Sequence, residues 1–568
     1  MKLLAVYHAG YLDSLGGARQ LRRGRHLIRG GGEISGEIMA AVLGRIRNAA
    51  ALARELNCGP RPEQIVTAAY RRWGQEYPRY IEGPAATVVI DRSTDTLVAS
   101  RDRMGERRLF YCRHGRTVAL SDHPDPLLDT PYAQRIVDAQ GLNELFALGP
   151  ARTPGKTPLR DVMALEPGCC LAADRRGVRV WRYFAPRARP HEDSPEATVQ
   201  TVRAMLERAV EEIPESVDGA MLSGGLDSTA LTALLHAKGR PMRTFSVDYQ
   251  GDLTEFTGNA YQPERDRDYA AMAAELFSRE HKNIVLDYQA LTGSLGQALD
   301  ARGFPGMGDI DSSMLLFARE IRRDCAGVVS GEGGDEVFCG YPWFKEENLT
   351  LEKGFPWSGS MDLRRALLRR DVEEVLKVKK YADQAFKNAL DMVPRVSGEG
   401  EMDAANRAMQ WLCIRFFMSN LQERALCMCE SADLEVITPF TDERLVEYLW
   451  NVPRELKFMN GEGKGLLREA VKDLLPDTLL HRKKSPYPKV YSKAYTDTLR
   501  QSVRAMASDP NAPILQAVDS RVLLQLCQAE LPAGGLPWFG QLMSGPQMLA
   551  YLWQVNQWLE TRRIRISL

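Results

Sequence analysis

No CxxC pair, no HExxH and no cluster of histidines occurs in the 568 residues, so the chain offers none of the ligand spacings of zinc sites. Ten cysteines in so long a chain make no disulfide scaffold. Cys169-Cys170 and Cys427-Met428-Cys429 are close pairs without metal-ligand spacing. Charge of one sign is not in excess either: Lys plus Arg and Asp plus Glu both number 74, a formal net charge of zero. That excludes nucleic-acid or membrane-surface binding driven by overall charge. Short basic runs such as Arg22-Arg23-Gly24-Arg25 and Arg562-Arg563-Ile564-Arg565 read as solvated faces. No uncharged apolar stretch reaches membrane-spanning length, and the apolar opening Leu3-Leu4-Ala5-Val6 is too short for a signal peptide, so a cytoplasmic protein is expected. Repeats and low-complexity segments are missing too.

What is present is a pair of glycine loops, Ser223-Gly224-Gly225-Leu226-Asp227-Ser228-Thr229 and Ser330-Gly331-Glu332-Gly333-Gly334-Asp335-Glu336. Each follows a short apolar run, Ala220-Met221-Leu222 and Gly327-Val328-Val329. A glycine loop after a strand lets backbone N–H groups close on phosphate oxygens, with the next helix presenting its positive end. Neither loop holds the Lys of a Walker-type phosphate loop, which excludes that ATPase class. Each instead holds an aspartate, Asp227 and Asp335, suited to keeping Mg²⁺ against a polyphosphate. A lone Ser-Gly-Gly is most often a turn. Two such loops with an Asp in each imply a pocket built around the pyrophosphate end of ATP.

The chain falls into two halves. Up to about Phe184 short apolar runs alternate with turns: Ala86–Ile90, Thr96–Ala99 and Arg108–Tyr111 read as strands, Glu63–Trp73 as a helix. This is an α+β pattern rich in antiparallel strands. The Pro-containing linker Ala185–His191 follows, and Asp193 with Glu196 has capping-box spacing, with Pro195 in the first turn of an amphipathic helix. Beyond it strands are expected to end at Leu222 and to cover Thr244–Val247, Asn283–Leu286 and Val328–Val329, with helices from Ser228 and near Tyr269–Arg279. Alternating strands and helices predict a parallel sheet, with both loops at its carboxyl edge. From about Phe355 the pattern is mostly helical. Domains are expected over residues 1–185 and 192–568.

The second loop continues into Val337-Phe338-Cys339-Gly340-Tyr341-Pro342, and the pair resembles the asparagine synthetase family, whose synthetase domain carries SGGxDS followed by SGEGxDExFxGYP. The resemblance extends to Pro305-Gly306-Met307, Asp311-Ser312-Ser313, Leu434-Glu435-Val436, Pro439-Phe440-Thr441-Asp442, Arg482-Lys483-Lys484-Ser485-Pro486-Tyr487 and Pro537–Met543. It implies an amidotransferase-like α+β sandwich followed by an α/β PP-loop synthetase domain with added helices. It also implies a ligase that activates a carboxylate with ATP and Mg²⁺ to an acyl-adenylate, which ammonia then attacks. On that resemblance Ser223, Gly225 and Ser228 would cradle pyrophosphate, with Gly224 in the same loop counted among the nucleotide-binding residues. Met221, Val247, Ser330 and Gly331 would line the nucleoside. Asp227 and Asp335 would hold the metal, Glu332 would take a proton from the incoming amine, and Lys484, beside Lys483, would steady developing negative charge. Glu336, Arg424 and Asp442 stand as substrate candidates.

Two regions depart from the family pattern. Where relatives read Glu-Val-Arg-Val-Pro-Phe, this chain has Glu435-Val436-Ile437-Thr438-Pro439-Phe440, and Leu426 and Cys427 stand for an acidic and a basic residue; Cys339 replaces a common glycine. Losing an Arg removes a bidentate carboxylate partner, so aspartate is expected as substrate without being fixed by the motif. In the first half Arg101-Asp102-Arg103-Met104-Gly105 and Leu109-Phe110-Tyr111 resemble the glutamine-hydrolysing domain, yet residue 2 is Lys2 where relatives carry the nucleophilic Cys, and no Arg-Gly-Pro-Asp loop occurs. A misplaced start codon would account for both, since the stretch ahead of Leu43 is shorter than in relatives. It would not account for Leu43-Gly44-Arg45-Ile46-Arg47-Asn48 in place of Asn-Gly-Glu-Ile-Tyr-Asn, nor for Arg61-Pro62-Glu63-Gln64 in place of Ser-Asp-Thr-Glu. The expectation is a first domain that does not hydrolyse glutamine, with nitrogen from ammonia, an amine or a separate glutaminase. Two other readings stand beside it: a natural-product amide synthetase of β-lactam synthetase or lasso-peptide cyclase type, and a catalytically silent nucleotide-binding subunit. Homodimerisation is left open.

Overall fold

The computed structural model describes residues 2–8, 20–23, 26–29, 32–250, 264–345, 347, 349–359, 361–490, 492–531 and 537–568. Arg22-Arg23-Gly24-Arg25 lies partly outside the described residues. Two compact units are present: Met1–Glu144 and Arg152–Ala185 with Ser567, and Leu145–Ala151 and Pro186–Ile566 with Leu568.

The first unit is an α+β sandwich of two six-stranded antiparallel sheets. One runs in the order Val162–Ala164, Phe110–His114, Thr117–Ser121, Leu4–His8, His26–Arg29, Gln20–Arg23. The other runs Gly177–Arg182, Cys169–Asp174, Thr96–Ser100, Ala85–Asp91, Ile38–Gly44, Glu33–Ser35. Successive side chains alternate between faces. Val88, Ile90, Leu97, Ala99, Leu171 and Ala173 pack with Ala5, Tyr7, Val118 and Leu120. Val89, Val98 and Ala172 face the other way, onto Ile65, Val66 and Ala69 of the helix Pro62–Trp73. The second sheet is thus covered on both faces, which explains why the strand at Ala85–Asp91 is apolar without alternation. The strand expected at Arg108–Tyr111 begins later, at Phe110. Asp102 accepts from the N–H groups of Glu106 and Arg107 at 2.8 Å each, and that turn delays the pairing.

The second unit is α/β. Its helix Pro195–Glu211 is capped by Ser194, whose hydroxyl accepts from Ala197 N at 3.2 Å. The expected cap, Asp193, instead accepts from the Tyr448 hydroxyl at 2.6 Å. The reason is Pro195: it occupies the first helical position, where its missing N–H costs nothing, and that makes the residue just before it the cap. The central sheet uses β1 (Gly219–Met221), β2 (Arg243–Tyr249), β3 (Glu280–Leu286), β4 (Gly327–Val329) and β5 (Glu435–Ile437). All pairs are parallel and the order is β3-β2-β1-β4-β5. Helices α1 (Leu226–Ala237), α2 (Asp266–Phe277), α3 (Asp309–Arg322), α4 (Gly334–Val337), α5 (Ser419–Ser431), α6 (Glu443–Asn451) and α7 (Gly465–Val471) are the ones that bear on the site. Since β2 and β3 build to one side of β1 while β4 and β5 build to the other, the order reverses at β1. A sheet of this kind binds ligands at such a reversal, beyond the carboxyl ends of the strands. No helix among the described residues is long and apolar enough to cross a membrane.

Candidate active site

Both glycine loops leave adjacent strands at that reversal. The first curls round two hydroxyls: Ser223 N donates to Ser228 Oγ at 3.2 Å, Gly225 N to Ser223 Oγ at 3.3 Å, and Ser228 Oγ to Gly225 O at 3.2 Å. Gly224 has φ +71° and its missing Cβ would strike the backbone of Tyr269 and Ala270 on α2, so only glycine lets this loop pack so close. The second loop is pinned by Ser330 N donating to Ile437 O at 2.8 Å and ends in the short helix α4.

The loops face one cavity of about 580 Å³, lined by Met221, Ser223, Gly225, Asp227, Ser228, Val247, Ser330, Gly331, Glu332, Asp335, Arg424 and Lys484 among others. Twelve of the fifteen residues singled out from the sequence therefore converge. The other three do not. Gly224 is the turn residue against α2. Asp442 caps α6, accepting from Arg444 N at 2.9 Å and pairing with the Arg444 guanidinium, which also reaches Glu212 at 2.6 Å. The Asp442 carboxylate is thus engaged by its own helix end and an arginine, and it is not among the residues lining the cavity. Glu336 is 1% exposed and accepts from the Tyr341 hydroxyl at 2.8 Å beneath the cavity. Burial, reinforced by the charge of Asp335, pushes its carboxyl up to about 8, and it is not among the residues lining the cavity.

The centre of the cavity is a set of four charges. Lys464 Nζ lies 2.5 Å from Asp227 Oδ2 and 2.6 Å from Asp335 Oδ1, and Lys484 Nζ lies 2.5 Å from Asp335 Oδ2. Burial works to raise the Asp335 carboxyl, but the two ammonium groups outweigh it and hold it at about 2. Asp227, with one ammonium partner, is raised by burial and by the neighbouring Asp335 charge against the pull of Lys464. Lys464 was not legible as a site residue from the motifs; its only signal is its setting, Gly461-Glu462-Gly463-Lys464-Gly465. Arg482 was missed too. It lines the cavity, donates to Ser223 O at 2.9 Å, pairs with Asp266 and lies over the Tyr269 ring at 4.2 Å, tying the first loop in place.

On the other wall Arg424 pairs with Glu332 and stacks over the Tyr487 ring at 5.0 Å. Tyr487 is oriented in turn by Ser313, whose hydroxyl is 3.0 Å from its own. The Arg424 side chain is 2% exposed, yet its Nε and Nη1 have no hydrogen-bond partner. Buried donors without partners are costly unless a ligand supplies acceptors. Phe417, Leu421, Met307 and Leu542 add apolar surface to the same cavity.

The asparagine synthase family model matches residues 201–560, 360 of the 568 residues and all of the cavity. The chain belongs to the asparagine synthase family. A glutamine amidotransferase domain model matches residues 35–184. The asparagine synthetase [glutamine-hydrolyzing] 3 of Bacillus subtilis is 36% identical over 511 residues, covering 89% of this chain and 83% of the relative. The asparagine synthetase [glutamine-hydrolyzing] 1 of the same organism is 22% identical over 460 residues, 75% of this chain and 70% of the relative. The amidase chyE of Penicillium rubens is 22% identical over 534 residues, 80% and 77%. Membership makes the chain an asparagine-synthetase-like, ATP-dependent carbon–nitrogen ligase of a family that works through an acyl-adenylate.

Proposed function

We propose that the chain adenylates a small carboxylate, aspartate being the first candidate, and passes the acyl group to ammonia or an amine without hydrolysing glutamine itself. The observation that carries this reading is the convergence of Asp227 and Asp335, from two loops a hundred residues apart, on one pair of lysines. The substrate carboxylate attacks the α-phosphorus of ATP and pyrophosphate leaves; the nitrogen nucleophile then attacks the acyl carbon and AMP leaves. The N–H groups and hydroxyls of Ser223, Gly225 and Ser228 would bind the pyrophosphate, and Met221, Val247, Ser330 and Gly331 the nucleoside. Lys464 and Lys484 would neutralise the departing oxygens. Glu332, held in place by Arg424, would accept the proton of the attacking amine. The open donors of Arg424, Nε and Nη1, would read a second acidic group on the substrate.

The carboxylates also fit Mg²⁺. Asp227 Oδ1 is buried without a hydrogen-bond partner. Among the described residues no group of three or more His, Cys, Asp or Glu forms an all-protein cage. One or two carboxylates completed by phosphate oxygens is the way Mg²⁺ is usually held. Asp227 and Asp335 would bind it, and when bound it supplies charge neutralisation along the polyphosphate.

In the first unit the glutamate and the aspartate by which relatives would grip glutamine fall at Arg45 and Pro62. The loss of both carboxylates, one of them to a residue of opposite charge, supports nitrogen from ammonia, an amine or a separate glutaminase. A natural-product amide synthetase is the second reading, favoured by Ile437 in place of an Arg and by the apolar Met307, Phe417, Leu421 and Leu542 in the cavity.

The test is ATP–pyrophosphate exchange with Mg²⁺ over a panel of acids. Exchange that depends on aspartate supports the first reading and exchange with a larger acid the second. No exchange with any acid leaves only a silent nucleotide-binding subunit. Glutamate release from glutamine by the isolated protein would overturn the assignment of the first unit.

A further inference from the structure

Lys464 occupies the point where a cation shared by Asp227 and Asp335 belongs. Its ammonium is within 2.6 Å of an oxygen of each carboxylate, and Lys484 completes the balance, two carboxylates against two ammonium groups. The side chain is set there by three features. Its Cα stands in the left-handed region, φ 60°, at the head of α7, a conformation that a non-glycine residue keeps only where neighbours enforce it. Gly340 leaves the space the aliphatic stem fills. Its side chain is 6% exposed, so its charge is largely shut off from water and is met by the two carboxylates.

We propose that Lys464 is a tethered cation that fills the divalent-metal position of the resting site and yields it only when a polyphosphate binds. The inference rests on the reading that Asp227 and Asp335 hold the metal of a metal–nucleotide substrate. A divalent ion arriving alone meets a site whose negative charge is already matched, and to enter it must displace an ammonium held by both carboxylates. A nucleotide changes this, because its phosphate oxygens give Lys464 a second anion within reach of its flexible four-carbon stem. Lys464 leaves, one oxygen of each carboxylate is freed while Lys484 stays on Asp335, and metal and nucleotide become bound as one. By linkage each then tightens the other by the same factor.

Electron paramagnetic resonance titration of the full-length protein with Mn²⁺ tests the proposal, reading free metal directly, with the Mn²⁺ taken up by α,β-methylene-ATP in the absence of protein measured and subtracted. Wild-type protein alone is expected to bind Mn²⁺ at least tenfold more weakly than Lys464→Gln alone, and at least tenfold more weakly than wild type with α,β-methylene-ATP. Tight Mn²⁺ binding by nucleotide-free wild type overturns the proposal whether or not the variant folds, and so does equal affinity of folded Lys464→Gln and wild type. If the nucleotide analogue brings no Mn²⁺ onto either protein, the underlying reading of Asp227 and Asp335 as metal ligands falls instead, and the proposal with it.

Discussion

Gly340 lies against the side chain of Lys464 with no room for a Cβ between them. One built at 340 would fall on the Lys464 chain and on Asp335 Oδ1. Gly340→Ala is therefore expected to push the ammonium off the two carboxylates and to lower pyrophosphate exchange by about ten- to a hundredfold, while overpacking costs about 1–3 kcal/mol of stability. Gly293→Ala is the control, since nothing lies within 4 Å of a Cβ there. It should leave both quantities near wild type. Equal exchange rates in the two variants would show that the close approach has no bearing on the site.

Arg424 and Glu332 share a part-buried ion pair, and the guanidinium lies over the Tyr487 ring at 5.0 Å. Arg424→Lys keeps the charge but loses the fork and the stacking surface. A charge-assisted hydrogen bond is worth about 1.5–3 kcal/mol, so the KM for the acid should rise about tenfold or more with the KM for ATP unchanged. Glu332→Gln should instead lower kcat with little change in nucleotide affinity. If Arg424→Lys raised both KM values equally, the residue would be a structural support of the cavity and not a reader of the acid.

The strand–glycine loop–helix units were legible because each residue type in them has a local reason: small residues for phosphate approach, an Asp at a helix head, apolar runs that end where the loop starts. Asp227, Ser330 and Glu332 could be placed from such motifs. Lys464 and Arg482 could not, since what makes them part of the site is a partner more than two hundred residues away, and neither local pattern nor charge encodes that. Asp442 shows the complementary case: it lies in a family motif, and only the structure reveals that its oxygens are engaged by a helix end and an arginine. In the first unit the strands were readable by alternation only where one face is less buried. The doubly covered Ala85–Asp91 was found by its β-branched run instead.

The cap of Pro195–Glu211 offers a stability test of the same lesson. Ser194→Ala removes the hydroxyl that accepts from Ala197 N and is expected to cost about 1 kcal/mol. Asp193→Ala loses only an exposed hydrogen bond from Tyr448, for which about 0.5 kcal/mol or less is expected. Urea midpoints of the two variants decide the matter. A larger loss for Asp193→Ala would make it the true cap.

Lys457 gives a pH-dependent prediction. Its side chain is 1% exposed, with Nζ donating to Gln410 Oε1 at 2.8 Å, and burial lowers its pKa to about 8. An unfolded lysine titrates near 10.4, so between pH 8 and about 10.4 the unfolded chain holds a proton that the folded chain has released. Stability therefore rises with pH through that window, by roughly 3 kcal/mol at most, and the term is flat below pH 8 where both states are charged. Lys457→Met removes the titrating group. It leaves Gln410 Oε1 without its donor, a loss of about 1–3 kcal/mol that is the same at every pH. The difference in unfolding midpoint between wild type and Lys457→Met is thus expected to be constant from pH 6 to 8 and to grow in favour of wild type from pH 8 to 10. A difference that stays constant to pH 10 would mean that Lys457 keeps its proton in the folded chain, with its charge compensated there by more than the Gln410 amide.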